Sequence, residues 1–312
     1  PTVDAAAEVV EEAHAEVLAK FNGADLIGFH GQTTSHRPEI GETHQAGNGA
    51  LLAEALGVPV VWDFRSADMK LGGQGAPLAS FYHFALAQKI EAREPLAFLN
   101  IGGVSNLTWL DPNAPSPDSP GACLAFDCGP GNAKMDDAML ARRGTRMDAD
   151  GELAAQGVVH SDILNELLEN DRYFSQIPPK SLDRDAFQDW LPAVVDLSDA
   201  DAMATLAAGT VQAIVKGLAH CPMAPERLLV TGGGRKNPDV MRRLTASVSA
   251  NVLAVEDVGF DGDMLEAQAF AFLAVRVFRG LSTSAPGTTG VPTPGGGGQI
   301  SRPGDLCAAV EA

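Results

Sequence analysis

Short apolar runs along this chain stop at a polar residue or a glycine turn, and a loop or a helical pattern follows. DLIGF at 25–29 runs into His30, PVVW at 59–62 stops at Asp63, residues 124–126 stop at Asp127, and residues 227–230 lead into Thr231 and three glycines. Buried apolar strands that alternate with helices restrict the fold to α/β layers. The polar groups that end such strands are what the carboxyl edge of a parallel sheet presents to a ligand crevice. The pattern changes after Pro95, where residues 96–99 and 107–110 flank Gly102 and Gly103 as a hairpin would. Two α/β lobes with a cleft between them are therefore predicted, 1–94 and 95–279, with the tail 280–312 returning to the first lobe.

Composition narrows the function. The chain has 312 residues, 45% hydrophobic and 20% charged, enough for a large packed core. Lys and Arg total 22 against 40 for Asp and Glu, a formal charge of -18, which disfavours nucleic acid or an anionic membrane as partner. A phosphate ligand remains compatible, since glycine turns and helix N-termini hold anions without net positive charge. The cysteines Cys123, Cys128, Cys221 and Cys307 form no C-x-x-C, so neither a disulfide scaffold nor a structural zinc site is expected, and a reducing cytoplasm is. No apolar run reaches membrane-spanning length, and the chain opens on Pro1 rather than Met.

Helical periodicity is expected over 4–20, 48–56 (closed by Gly57), 79–92, 133–142, 162–170, 199–220, 238–247 and 264–279. The last of these is nearly all apolar and is expected to be buried. Residues 30–38 read as a polar stretch and 282–304 as irregular.

The segment Phe126-Asp-Cys-Gly-Pro-Gly-Asn132 carries the strongest chemical signal. A carboxylate ends an apolar strand, glycines allow a tight turn, and a helix N-terminus favours the ionised form. Such a group suits a general base, and equally a plain helix cap. Asn100-Ile-Gly-Gly-Val-Ser-Asn106 is either a backbone cradle for phosphate oxygens or an ordinary hairpin turn. Thr231-Gly-Gly-Gly-Arg235 either admits a nucleotide's base or ribose or is a flexible connection. Neither G-x-G-x-x-G nor a Walker sequence is present. Arg65 offers a fork for a carboxylate ligand, although an internal pair with Asp63 or Asp68 is the simpler reading. His30, His36 and His44 lack metal-ligand spacing. Cys128 sits beside Asp127, which opposes a thiolate. Glu266, near the start of an apolar helix, is either a dipole partner or a ligand contact.

In their order along the chain, several segments together resemble the anhydro-N-acetylmuramic acid kinase family. They are GFHGQTTSHRP (28–38), PVVWDFRSADMKLGGQGAPL (59–78), LNIGGVSNLTWL (99–110), AFDCGPGNAKMD (125–136), YFSQIPPKS (173–181), VTGGGRKN (230–237) and LEAQAFAFLAVR (265–276); PGTTGVP (286–292) is similar to the family's tail. The resemblance implies a two-lobed actin/hexokinase-like ATPase fold with an inter-lobe cleft. It also implies ATP-dependent phosphorylation of 1,6-anhydro-N-acetylmuramic acid, with water opening the anhydro ring to give N-acetylmuramic acid 6-phosphate in murein recycling. By the same resemblance Asp127 is the catalytic base. Asn100, Gly102 and Gly103 form a phosphate-binding turn, Gly129, Gly131 and Asn132 also serve the nucleotide, and Gly232, Gly233 and Gly234 form the adenosine turn. His30, Gln32, Asp63, Arg65, Gln74 and Glu266 become candidates for the sugar pocket, Arg65 for the lactyl carboxylate. ATP and the sugar are the implied partners, Mg²⁺ the implied ion with no ligands assigned, and a cytoplasmic homodimer is compatible.

Two departures stand out. Cys128 occupies a position where the family usually has Thr. Nothing between Pro1 and Asp25 matches the G-T-S-x-D-G hairpin with which the family begins, so this polypeptide alone is not expected to turn over normally, although its full-length parent is. The competing readings are another sugar or carboxylate kinase of the same superfold and a truncated sugar-binding paralogue without catalysis.

Overall fold

The computed structural model describes residues 3–21 and 23–305, so Pro1 and Cys307 lie outside the described residues. The chain forms two compact units, one running to Tyr82 and resuming at Glu266, the other spanning His83–Leu265.

The first unit contains a three-stranded sheet. β1 (Ile27–Gly28) pairs in parallel with a strand at Val60–Trp62, and a strand at Gln299–Ser301 pairs antiparallel with the other edge of the latter. Numbered in chain order, β2 (Gln32–Arg37) and β3 (Glu42–Ala46) form a separate hairpin, Val60–Trp62 is β4 and Gln299–Ser301 is β10. Neighbouring residues of β4 point to opposite faces. Val60 packs with Ile27, Phe29, Leu52 and Ala53, while Val61 packs with Phe64, Leu78, Phe270, Leu273 and Ala274. The helix Gly49–Leu56 starts where the Asn48 side chain accepts the Ala50 N–H at 2.9 Å, and it stops at Gly57 in the left-handed region, φ 66°.

Three expectations change here. The polar stretch 30–38 is mostly strand, because β2 and β3 pair through their backbones with polar side chains on both faces and so lack an apolar alternation. The tail is not wholly irregular, since residues 299–301 close the edge of the sheet. The helix Leu265–Phe278 belongs with the first unit through Phe270, Leu273 and Ala274, and its opposite face is open, with Val275 40% and Phe278 53% exposed.

The second unit is built on a five-stranded sheet of order β7-β6-β5-β8-β9, comprising β5 (Leu96–Ile101), β6 (Val104–Leu110), β7 (Cys123–Pro130), β8 (Arg227–Thr231) and β9 (Asn251–Ala254). β5, β8 and β9 run parallel, and β6 is antiparallel to both its neighbours. The helix Asp199–Leu218 lies on this sheet, with Ala202, Met203, Leu206, Ala207, Val211, Ala213 and Ile214 in the core. A Cβ at Gly217 would stand 2.7 Å from Cys128 Sγ, so this close approach requires glycine.

The division between units falls inside the helix Ser80–Lys89 rather than at residue 95. His83 belongs to the second unit because its ring stacks on Phe98 at 4.5 Å and its Nδ1 lies 3.0 Å from Thr108 Oγ1. Among the described residues no helix is long and apolar enough to cross a membrane.

Candidate active site

Asp127 is 8% exposed and lies inside β7, which runs on to Pro130 instead of ending at Phe126. The strand continues because of a bulge. Ser105 faces Gly129 while Asn106 faces Asp127, so Cys128 is the extra residue. A bulge bends its strand and re-aims side chains, and it hides from any reading of simple alternation. Asp127 is gripped by residues 173–182. Its N–H donates to Lys180 O at 3.0 Å, its carbonyl accepts the Tyr173 hydroxyl at 2.7 Å, and Oδ2 accepts the Leu182 N–H at 2.7 Å. It does not cap the following helix, Ala133–Arg143, whose N-cap is Asn132. The Cys128 thiol is buried against Gly217, and burial, reinforced by the Asp127 charge, pushes it far above the ordinary thiol range, as expected for a cysteine that is no nucleophile.

The three glycine turns converge at one end of this sheet. Gly131 N–H donates to Gly103 O at 2.9 Å and Asn132 N–H to Gly102 O at 2.7 Å, while Asn132 Nδ2 donates to Ile101 O at 3.0 Å. The carbonyls of Pro130 and Gly131 accept the hydroxyls of Ser105 and Thr210 at 3.1 and 2.9 Å. Gly232, at φ 75°, packs against the Asn100 side chain and the Ile101 carbonyl, and Gly234 packs against the Ile101 side chain.

This convergence sorts the glycines. Gly129 is closed in by Ala213 and Phe174, Gly131 by the Gly102 backbone, and Gly232 and Gly234 by Asn100 and Ile101, so chain-on-chain approach already accounts for these four. At Gly102, Gly103 and Gly233 an added Cβ would meet its nearest neighbours at 3.5, 3.6 and 3.4 Å, ordinary van der Waals contact, so chain packing does not by itself demand glycine at these three. Arg235 is structural, since its guanidinium bonds Gly232 O at 2.9 Å, Glu256 Oε1 at 2.8 Å and Asp263 Oδ1 at 2.8 Å.

In the first unit, His30 and Asp63 line a hollow of about 430 Å³ together with Gln45, Trp62, Ser66 and Gln299. Asp63 sits in the left-handed region at φ 53°, a conformation that costs energy in a non-glycine residue and clusters at functional sites. Its carboxylate accepts the Ser66 hydroxyl and Gln299 Nε2, the latter at 2.8 Å. Arg65 donates from Nε to His30 Nε2 at 3.0 Å and from Nη1 to Gly75 O at 2.6 Å. An arginine can only donate, so His30 Nε2 is the acceptor, and Nδ1–H donates to Gly31 O at 2.8 Å. Asp68 holds Gly75 N–H at 2.7 Å and Thr289 Oγ1 at 2.7 Å, and Gln74 N–H donates to Thr289 O at 2.7 Å. His30, Asp63, Arg65 and Gln74 are thus linked or adjacent. Gln32 is exposed at the start of β2, and Glu266 is exposed in the first turn of its helix, the position of a dipole partner.

Burial first, and then Arg65, brings His30 down to about 4, and burial brings His83 down to about 3. Both rings are therefore neutral in the folded protein while the unfolded chain takes up protons near pH 6.5. Stability conferred by these groups is complete above about pH 6.5 and is lost as pH falls toward 4 for His30 and 3 for His83. Denaturant unfolding from pH 7 to 4 should show that fall at on the order of 1 kcal/mol per pH unit for each group. His30→Asn should remove about half of that slope, and an unchanged slope in that variant would remove His30 from the explanation.

Residues whose roles the sequence did not disclose stand beside Asp127. Tyr173, Lys180 and Leu182 hold it, and Arg184 passes over Gly103 to pair with Asp137 at 3.1 Å. The signal available was the motif YFSQIPPKS, whose contact with residue 127 crosses more than forty positions of sequence.

A buried carboxylate on a bulged strand, beside converging glycine turns of an α/β unit, is the kind of site by which phosphoryl-transfer enzymes hold a nucleotide and activate an acceptor. Sequence comparison agrees. The model of the family described as anhydro-N-acetylmuramic acid kinase matches residues 2–301, and the chain belongs to that family. It is 62% identical over 298 residues to the anhydro-N-acetylmuramic acid kinase of Cereibacter sphaeroides, covering 96% of this chain and 80% of that protein. It is 54% identical over 309 residues to the one of Roseobacter denitrificans, covering 99% and 82%. The protein is therefore a kinase, and a kinase of this family uses ATP and a sugar.

Proposed function

We propose that this protein transfers the γ-phosphoryl group of ATP to oxygen 6 of 1,6-anhydro-N-acetylmuramic acid while water opens the anhydro bridge, yielding N-acetylmuramic acid 6-phosphate. The observation that carries this reading is the placement of Asp127, a buried carboxylate with an assigned hydrogen-bond geometry, on the strand that leads directly into the converging glycine turns. Asp127 takes a proton from the water that attacks the anomeric carbon. The C1–O6 bond breaks, and O6 forms the new bond to phosphorus as ADP leaves, so one base serves hydrolysis and transfer together.

Gly102, Gly103 and Gly233, the glycines that chain packing does not demand, are the residues against which the nucleotide lies. Gly129, Gly131, Gly232 and Gly234 shape that surface from behind, with Asn100 and Asn132 between the turns. In the first unit, His30, Asp63, Arg65 and Gln74 are proposed to contact the sugar, Arg65 through its carboxylate. Gln32 and Glu266 are exposed and require the ligand itself to engage them.

Mg²⁺ is the expected ion. Among the described residues no group of three or more His, Cys, Asp or Glu side chains could hold a metal alone. An ion carried in on the phosphates, keeping most of its waters, would neutralise charge on the transferring group.

A panel of acceptors tests the reading. Phosphorus NMR of product mixtures should show a sugar 6-phosphate from the anhydro sugar and none from glucose or acetate. Phosphorylation of glucose or acetate with the anhydro sugar untouched would identify a different kinase of the same superfold.

A further inference from the structure

The mechanism leaves the buried charge of Lys180 without a task. Lys180 is 6% exposed. Its ammonium donates to Tyr173 O at 2.9 Å and lies 4.4 Å from the centre of the Tyr173 ring and 5.9 Å from that of Phe126. A lysine is placed this deeply only where its charge is compensated. The residues it holds are the ones that grip Asp127 through the Lys180 carbonyl, the Tyr173 hydroxyl and the Leu182 amide.

We propose that Lys180 is a positioning residue for Asp127, pinning the 173–182 segment that orients this carboxylate and supplying the positive charge that keeps it ionised. β7 is the edge strand of its sheet, so without this segment the outer N–H of Asp127 would have no backbone partner.

Lys180 and Asp127 feel each other's charge. On Asp127's own strand the neighbour is Cys128, and β6 presents Asn106 and Ser105. The helix Asp199–Leu218 turns Thr210, Ala213 and Gly217 toward β7, none of them titratable. Burial pushes the thiols of Cys128 and Cys221 upward, Cys221 to about 12, and raises the Tyr173 phenol with help from Asp127. All three are neutral near pH 7. His220 packs on Phe126 with ring centres 6.0 Å apart, and its Nε2 is 3.4 Å from Phe174 O. Asp171, two residues before the gripping segment, adds a second negative charge near Tyr173. Burial lowers Lys180 itself, while Cys128 and Asp127 pull it back up.

The catalytic consequence rests on Asp127 being the base, so the test separates the two ideas. In the full chain carrying ¹³C-labelled aspartate, the Asp127 carboxyl resonance is assigned by its loss in Asp127→Asn and titrated in wild type, Lys180→Gln, Lys180→Met and Lys180→Arg. Gln keeps a donor for Tyr173 O without the charge, and it is the variant to rely on should Met fail to fold. The Asp127 midpoint is expected to rise by a unit or more in Gln and Met and to stay within a few tenths of wild type in Arg. The acid limb of kcat/KM should move with it, and kcat should fall more than tenfold in Gln while the KM for ATP holds. An unmoved midpoint in folded Lys180→Gln overturns the proposal. A midpoint that rises while the acid limb stays still upholds it and instead removes Asp127 from the role of base.

Discussion

In the full-length enzyme, Asp127→Asn is expected to lower phosphoryl transfer by roughly 10³-fold while the KM values for ATP and the sugar change only a few-fold. Asparagine keeps an oxygen to accept the Leu182 N–H and leaves the Lys180 and Tyr173 bonds to the backbone in place, so the fold and the binding surfaces persist. What disappears is the ability to accept a proton. Initial rates against both substrates, with a thermal melt of the variant, separate this from unfolding. Turnover near the wild-type rate would mean that the base lies elsewhere.

Gly131→Ala should be the most damaging single methyl in the glycine turns. The added carbon would overlap Gly102 O and stand 3.0 and 3.1 Å from the carbonyl carbons of Val104 and Gly102, all of them backbone, so no side chain can swing aside. Relief requires parting the turns and losing the Gly131–Gly103 and Asn132–Gly102 hydrogen bonds. Overpacking of this kind costs roughly 1–3 kcal/mol or more, and the KM for ATP should rise at least tenfold. Gly233→Ala is the matched control, since its nearest neighbour is Asn132 Nδ2 at 3.4 Å. Its melting temperature should match wild type, and its ATP affinity should fall only because the nucleotide lies on it. Equal melting temperatures for the two variants would contradict the close approach at Gly131.

Much of the fold was legible because its cues are local. Asn48 and Gly57 bracket a helix, Gly102 and Gly103 turn a hairpin, and apolar strands at 59–62 and 227–230 sit where their composition put them. The β2–β3 hairpin was missed because polar faces carry no period. β10 was missed because a three-residue strand is defined by its neighbour β4 and not by its own side chains. The open face of the helix Leu265–Phe278 was missed because apolar composition does not say how much of a helix the rest of the unit can cover.

The candidate site divides in the same way. Residue types at strand ends and turns marked Asp127, the glycine turns and the His30 and Asp63 pair, since chemistry of that sort is written in a few adjacent letters. Which glycines chain packing demands, that Cys128 is a bulge, and that Lys180 and Tyr173 hold Asp127 were decided only when distant segments met. Those facts depend on distances between residues tens of positions apart, and such distances are set by the summed packing of the unit rather than by any local preference of the chain.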